Sequence, residues 1–401
     1  MAETRTFTAR WVFPVAGPPL ERGTLTVAGN AIADVDAHGV CSADADLGNV
    51  AIIPGLVNAH THLDLSGARG LIPPTDPEHF TDWLRGVIAY RRTRTDATVD
   101  DDIQGGLAEI LHTGTTLVGD IAYAGRSFSH FLNASLRSVV FCELTGFSSQ
   151  RINELSRSLV GSDWGMRTEY TSSGLSPHAP YSVSAELLEY AISRAEPLAI
   201  HLAESLHEAE LLSSRTGPFV ELLQWIGIWD QARLVESADW IMNKTTQTNN
   251  VVFAHCNYLS PDTPFTSNQS IVYCPRTHAA FGHPPHPFRE FLNRGVRVCL
   301  GTDSLASNPD LDVLAEARFV HERYPDFPGG TLLRMVTLSG AQALGWADEV
   351  GSLEPGKSAD FVAVPLPDRD AADPHELLFA ADAPDAPRRT LFRGEWRGSS
   401  G

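Results

Sequence analysis

From about residue 51 onward, short apolar runs alternate with stretches whose apolar residues recur at helical spacing. The apolar runs are "AIIPGLVNA", "TTLVGDI", "RSVVFCELTG", "YTSSGLSP", "PLAIHLAE", "NVVFAHC", "QSIVYCP" and "VRVCLGTD". Each has strand length and is bounded by Gly, Pro, Ser or Asp. Helices are predicted between them at 80–92, 99–113, 128–134, 151–160, 183–195, 205–226, 287–294 and 310–323. Eight strands alternating with helices predict an α/β fold, a parallel sheet closed as a (β/α)8 TIM barrel. Alternation alone also fits an open doubly wound sheet; the strand count favours the barrel.

The two ends of the chain have a different texture. Residues 1–50 hold "RTFTARWVF", "GTLTVAG" and "AIADVDA", short strand patterns punctuated by Gly and Asp. After a helical pair at 330–346, "GSLEPGKSADFVAV" and "RRTLFRGEW" return to the same pattern. The expected organisation is a small β-sandwich domain built from 1–50 and 350–398, beside a barrel spanning 51–349.

Composition narrows the partners. The chain has 401 residues and a formal net charge of −19. Nucleic acid and anionic membrane surfaces need a basic footprint, which this charge disfavours. No run of about 18 apolar residues suggests a membrane span, and the N-terminus has no basic start followed by an apolar segment. Cys41, Cys142, Cys256, Cys274 and Cys299 are scattered and odd in number. A reduced, cytoplasmic protein with a small-molecule substrate is expected.

The strand ends carry the chemistry. His60 and His62 follow the first run, His201 and Glu204 the fifth, His255 the sixth and Asp303 the eighth. In a barrel all these ends open onto one mouth. Residues i and i+2 of an extended segment point to the same side, so His60 and His62 can grip one ion. His201 and Asp303 complete a donor set of three nitrogens and one carboxylate. Such a set suits one divalent ion with an open position: zinc, with iron or manganese as further fits. A lone strand-end histidine is more often a hydrogen-bonded core residue; it is the joint placement of all these residues that points to a metal.

This order of ligands resembles the amidohydrolase superfamily. The resemblance covers nearly the whole chain, including "PGLVNAHTHLD" and "GSLEPGKSADFVAV". Within it, "SPHAPYSVS", "HLAES", "AHC" and "LGTDSLASN" resemble the branch that deaminates purine nucleosides. The resemblance implies that Asp303 is both ligand and proton acceptor, that His255 orients the attacking water, and that Glu204 donates a proton to the ring nitrogen. It implies substrate contact by His178 near the sugar. Trp83 fits either a pocket wall or the core. Glu143 fits either a ribose acceptor or a salt-bridge partner. Many two-metal relatives bridge their ions with a lysine on strand four. That strand has none here, and the only lysines are Lys244 and Lys357, so one metal is expected.

Two departures bear on the substrate. Methylthioadenosine and S-adenosylhomocysteine deaminases tend to carry a ribose-binding carboxylate where this chain reads "AYRR", with Arg91 and Arg92. They commonly read "CPxSN" where this chain has "CPRTH", with Thr277 and His278. "THLDLS" followed by "FTDWLRGVIAYR" is more similar to aminodeoxyfutalosine deaminases. His283 and His286 flank prolines and fit a shaped loop or a second metal site. Other readings are hydrolysis of a triazine or oxidised guanine, and a catalytically silent binding protein on the same fold. Homo-oligomers occur among such relatives.

Overall fold

The computed structural model describes residues 3–160, 167–194, 196–384 and 386–397. Eight parallel strands form one sheet in sequential order: Leu56–Thr61, Thr115–Tyr123, Arg137–Leu144, Thr171–Pro177, Leu198–Leu202, Val251–His255, Gln269–Tyr273 and Arg297–Leu300. They are buried along nearly their whole length, which is why they read as continuous apolar runs rather than alternating ones. The eighth strand returns to the first through a parallel bridge between Thr61 and Asp303, closing the barrel. Its interior layer is filled by Val57, Leu117, Val139, Ala199, Val252, Val272 and Cys299, one apolar residue from each of seven strands.

Two of the expected elements divide. "AIIPGLVNA" is two strands. Val50–Pro54 pairs with Phe361–Pro365 and with Trp11–Val12 outside the barrel. Gly55 then carries the chain past Thr116, and Leu56 starts the first barrel strand. The stretch 205–226 is two helices, Leu206–Ser214 and Pro218–Ile226. Arg215 ends the first in the left-handed region and Gly217 has φ +91°. Pro218 sits at the first helical position of the second, where its missing N–H costs nothing.

The chain ends build two further sheets. One orders Ala31–Asp36, Thr24–Ala28, Thr4–Thr8 and Ala45–Asp46; the other orders Glu395–Trp396, Arg389–Phe392, Phe361–Pro365, Val50–Pro54, Trp11–Val12 and Leu20–Glu21. Phe7, Leu25, Val27 and Ile32 from the first share a core with Ile52, Phe361 and Leu391 from the second. The ends therefore form the expected β-sandwich, with the strand at 50–54 inside it. A buried ion pair from Arg137, on the third barrel strand, to Asp360 ties the sandwich to the barrel. Among the described residues no helix is long and apolar enough to cross a membrane.

Candidate metal centre and active site

At the C-terminal ends of strands one, five, six and eight the polar residues converge. One donor atom from each of His60, His201, His255 and Asp303 lies within 4.8 Å of all the others, and all four side chains are buried. His62 joins them: its Nε2 is 3.2 Å from His201 Nε2 and 3.6 Å from Asp303 Oδ1. His60 Nε2 is also 3.6 Å from Asp303 Oδ1. Two donors each about 2.1 Å from one ion at a near-tetrahedral angle sit about 3.4 Å apart. These separations match the edges of such a coordination shell.

The orphaned atoms support the same fit. His60 Nε2 and His255 Nε2 are buried without a hydrogen-bond partner. Leaving buried polar atoms unpaired costs about 1–3 kcal/mol each, unless a ligand satisfies them. His201 Nδ1 lies 3.0 Å from the His178 carbonyl. A carbonyl only accepts, so Nδ1 carries the proton and Nε2 presents its lone pair to the centre. Burial, with the neighbouring imidazoles adding to it, holds the His62 and His201 rings well below their usual titration range. Burial likewise pushes His255 down to about 3. All three are neutral donors at physiological pH. Burial pushes Asp303 up, but the facing imidazoles outweigh it and keep the carboxylate ionised. Its Oδ2 accepts a hydrogen bond from Ser307 Oγ at 2.8 Å, leaving Oδ1 toward the histidines.

Backbone strain is concentrated here. His255, Cys256 and Asp303 have φ of +69°, +55° and +59°, and Ala203 has +50°. Non-glycine residues persist in that region only where surrounding bonds over-determine them. Asp303 N donates to His60 O at 3.0 Å, and Cys256 N donates to Leu202 O at 3.0 Å. Glu208 accepts from Ala203 N at 2.7 Å and Glu204 N at 3.2 Å, bracing the turn that leaves strand five.

Glu204 lies beside the donors. Its Oε1 is 3.5 Å from His255 Nε2, and its Oε2 accepts from Tyr181 Oη at 3.0 Å. Burial, reinforced by the charges of Asp303 and Glu208, raises this carboxyl well above its ordinary range.

A cavity of about 890 Å³ opens over these groups. Trp83 lines it while packing edge-on against Phe281 and donating its Nε1–H to Ile72 O, so it is both wall and core. Leu84, Val87 and Ile88 continue that wall, faced by Leu222, Leu223 and Ile226 of the helix Pro218–Ile226. Glu143 and His178 lie on the cavity's polar side, His178 Nε2 being 3.5 Å from Glu143 Oε1.

Sequence reasoning noted Arg91 only as a departure and gave no role to Asp64 or Tyr181. Arg91 Nη1 contacts both oxygens of Glu143 at 3.1 and 2.9 Å, while Nη2 lies 3.0 Å from Asp64 Oδ2. Glu143 is thus a salt-bridge partner and a cavity residue at once. Burial alone would raise its carboxyl, yet Arg91 and His178 hold it below its ordinary range. Burial raises Asp64 to about 7 against the pull of Arg91. The signal for Asp64 was its place two residues after His62, in the first turn of the short helix Leu63–Ala68 that leaves the strand end.

The histidines at 278, 283 and 286 are buried beside the centre, outside it. His286 Nε2 donates to His255 O at 2.7 Å, and His283 Nδ1 is 2.9 Å from Tyr258 Oη. Among the described residues the four-residue donor group named above is the one cluster suited to an ion.

Known proteins resemble this chain at several levels. A 5-methylthioadenosine/S-adenosylhomocysteine deaminase from Moorella thermoacetica is 29% identical over 93% of this chain and 89% of its own length. The structure of Helicobacter pylori aminofutalosine deaminase in complex with methylthio-coformycin superposes with a TM-score of 0.85 at 22% identity, covering 98% of this chain and 99% of that one. An adenosine deaminase from Xanthomonas campestris with bound zinc gives 0.77 at 22% identity, over 98% and 92%. These two structures share the fold. Residues 51–397, nearly the whole barrel and the returning strands, match the amidohydrolase family, and the chain belongs to that family.

Proposed function

We infer that the protein is a mononuclear, zinc-dependent aminohydrolase that replaces the exocyclic amino group of an adenine nucleoside with a carbonyl oxygen and releases ammonia. The observation that carries this reading is the buried cluster of His60, His62, His201, His255 and Asp303 with the Glu204 carboxyl beside it. Three or more neutral imidazoles with one carboxylate suit zinc better than magnesium or calcium. When bound, the ion supplies a Lewis acid that makes water nucleophilic at neutral pH.

The chain's own groups do the rest. Asp303, ionised and fixed by Ser307, accepts a proton from the attacking water. His255, held by strained backbone and by His286, stands beside that water and orients it. Glu204 gives its proton to the ring nitrogen next to the reacting carbon. It recovers a proton from the newly added hydroxyl as the carbonyl forms, while the proton taken by Asp303 goes to the leaving amine, so that R–NH2 and water become the carbonyl product and ammonia. Trp83 and the leucines of the facing helix supply an apolar wall for the base and its substituent. Glu143, oriented by Arg91 and flanked by His178, offers carboxylate oxygens to sugar hydroxyls.

The test is ammonia release by zinc-loaded protein from aminodeoxyfutalosine, methylthioadenosine, S-adenosylhomocysteine, adenosine, 8-oxoguanine and an aminotriazine. Turnover of at least one adenine nucleoside, abolished about 10²–10⁴-fold by Glu204→Gln with metal content unchanged, is expected. Silence on every nucleoside by metal-loaded protein would overturn the substrate class. Full activity of Glu204→Gln would overturn the proton-donor assignment.

A further inference from the structure

Tyr181 lies in the turn after the fourth barrel strand, within "SPHAPYSVS". Its buried ring stacks on Phe219 of the helix Pro218–Ile226, centroids 4.3 Å apart and planes at 17°. A buried phenol needs a partner for its hydroxyl. Here the partner is Glu204 Oε2 at 3.0 Å, while Oε1 faces His255 Nε2 at 3.5 Å. Both residues border the cavity. The backbone of Glu204 is held separately, by Glu208 on its N–H and by Asn257 Nδ2 on its carbonyl. Those bonds leave the carboxyl free to rotate, because its last torsion is broad and two-fold. Among the described residues Tyr181 is the one side chain hydrogen-bonded to that carboxyl.

We propose that Tyr181 is a positioning residue for Glu204: its hydroxyl engages Oε2 and so presents Oε1 to the substrate as the oxygen that carries the transferred proton. The inference rests on the proton-donor role given to Glu204 above. With Oε2 engaged as an acceptor, Oε1 is the oxygen left to deliver the proton in the role given to Glu204. Transfer breaks Oε1–H and forms N–H on the ring, and the electron pair stays on Glu204 as a carboxylate. The Tyr181 bond then becomes charge-assisted and strengthens. An interaction that strengthens as the reaction proceeds raises kcat more than it tightens substrate binding.

Tyr181→Phe removes the hydroxyl and keeps the stacked ring. On methylthioadenosine, or whichever adenine nucleoside turns over fastest, kcat is expected to fall about ten- to a hundredfold, with KM within about threefold and zinc content unchanged. In the Glu204→Gln background the same substitution should cost nothing further, because its effect passes through Glu204. A crystal structure of Tyr181→Phe should show the Glu204 carboxyl rotated or split between two positions, with the ring at 181 unmoved. An unchanged kcat, a loss that adds to that of Glu204→Gln, or a Glu204 side chain identical to wild type would overturn the proposal. If wild-type protein is silent on every nucleoside, the substrate reading has failed instead, and the crystallographic outcome alone decides the role of Tyr181.

Discussion

Seven histidines are buried in this protein, and what separates them is where their lone pairs point. Four, His60, His62, His201 and His255, lie with ring nitrogens close to Asp303 or to one another. His278, His283 and His286 form a packed layer behind them, stacked with Tyr273 and tied to Tyr258 and to the His255 carbonyl. Burial pushes His278 down to about 3 and His283 to about 4. The unfolded chain therefore binds protons on these rings from about pH 6.5 downward, while the folded chain does not. Their contribution to stability is complete above about 6.5 and is lost as the pH falls toward 3–4. Asp64 and Glu208, raised to about 7, act with the opposite sign between about 4 and 7, so the test must be a difference. Urea denaturation of wild type and His278→Gln at pH 7.5 and pH 5 isolates one ring. The wild type's advantage over the variant should shrink by about 2 kcal/mol at the lower pH. An advantage independent of pH would mean that His278 is charged or exposed in the folded protein. None of this was legible in "CPRTHAAFGHPPHP", because that segment's spacing cannot tell a ligand from a packed ring. The strand-end histidines were legible because each closes an apolar run, which fixes both its depth and its direction.

At the scale of elements, the sequence failed where two apolar segments met without a polar break. Val50–Pro54 and Leu56–Thr61 are both buried, so hydropathy runs through them unbroken. Only Gly55 marks the change of sheet. A Cβ there would lie 2.0 Å from Thr116 Oγ1 and 2.8 Å from Thr116 Cβ, and Gly55 N donates to Asp360 O across the junction. The glycine is needed for close approach, since it allows a sandwich strand to become a barrel strand in one residue. Gly55→Val should destabilise the protein by at least about 1–3 kcal/mol in urea denaturation, the usual cost of overpacking a filled site. Thr116→Ala should restore part of that loss. A neutral Gly55→Val would mean that the junction yields easily, and that the glycine has no packing role. The helix expected over 205–226 divides for a reason written in the sequence itself: Gly217 and Pro218 interrupt it, and Arg215 ends the first half in the left-handed region.

For the whole molecule, the barrel's closure and the candidate metal centre occupy the same seam. Between the first and eighth strands there is no regular ladder, only the bridge of Thr61 with Asp303. Side chains do the stitching: Asn58 Nδ2 donates to Thr302 Oγ1 at 2.8 Å, and Thr302 N donates to Asn58 Oδ1 at 3.1 Å. Gly301 passes so close to His60 that a Cβ would sit 2.8 Å from the histidine's own. An ion held by His60 and His62 on one side of this seam and by Asp303 on the other would cross-link it, and His201 would extend the link to strand five. A ligand that binds only the folded chain stabilises it, by about 2.7 kcal/mol at a hundredfold excess over its dissociation constant. Chelation should therefore lower the melting temperature, and restored zinc should reverse it. The loss should also be local. Hydrogen exchange in the apoprotein should quicken first at residues 58–62 and 300–304, well before the strands at 137–144 and 171–177, which share a seven-residue ladder. Uniform acceleration around the barrel would mean that the ion stabilises the fold as one unit. No change at the seam would place the ion elsewhere, and the donor cluster at the strand ends would lose its claim to hold it.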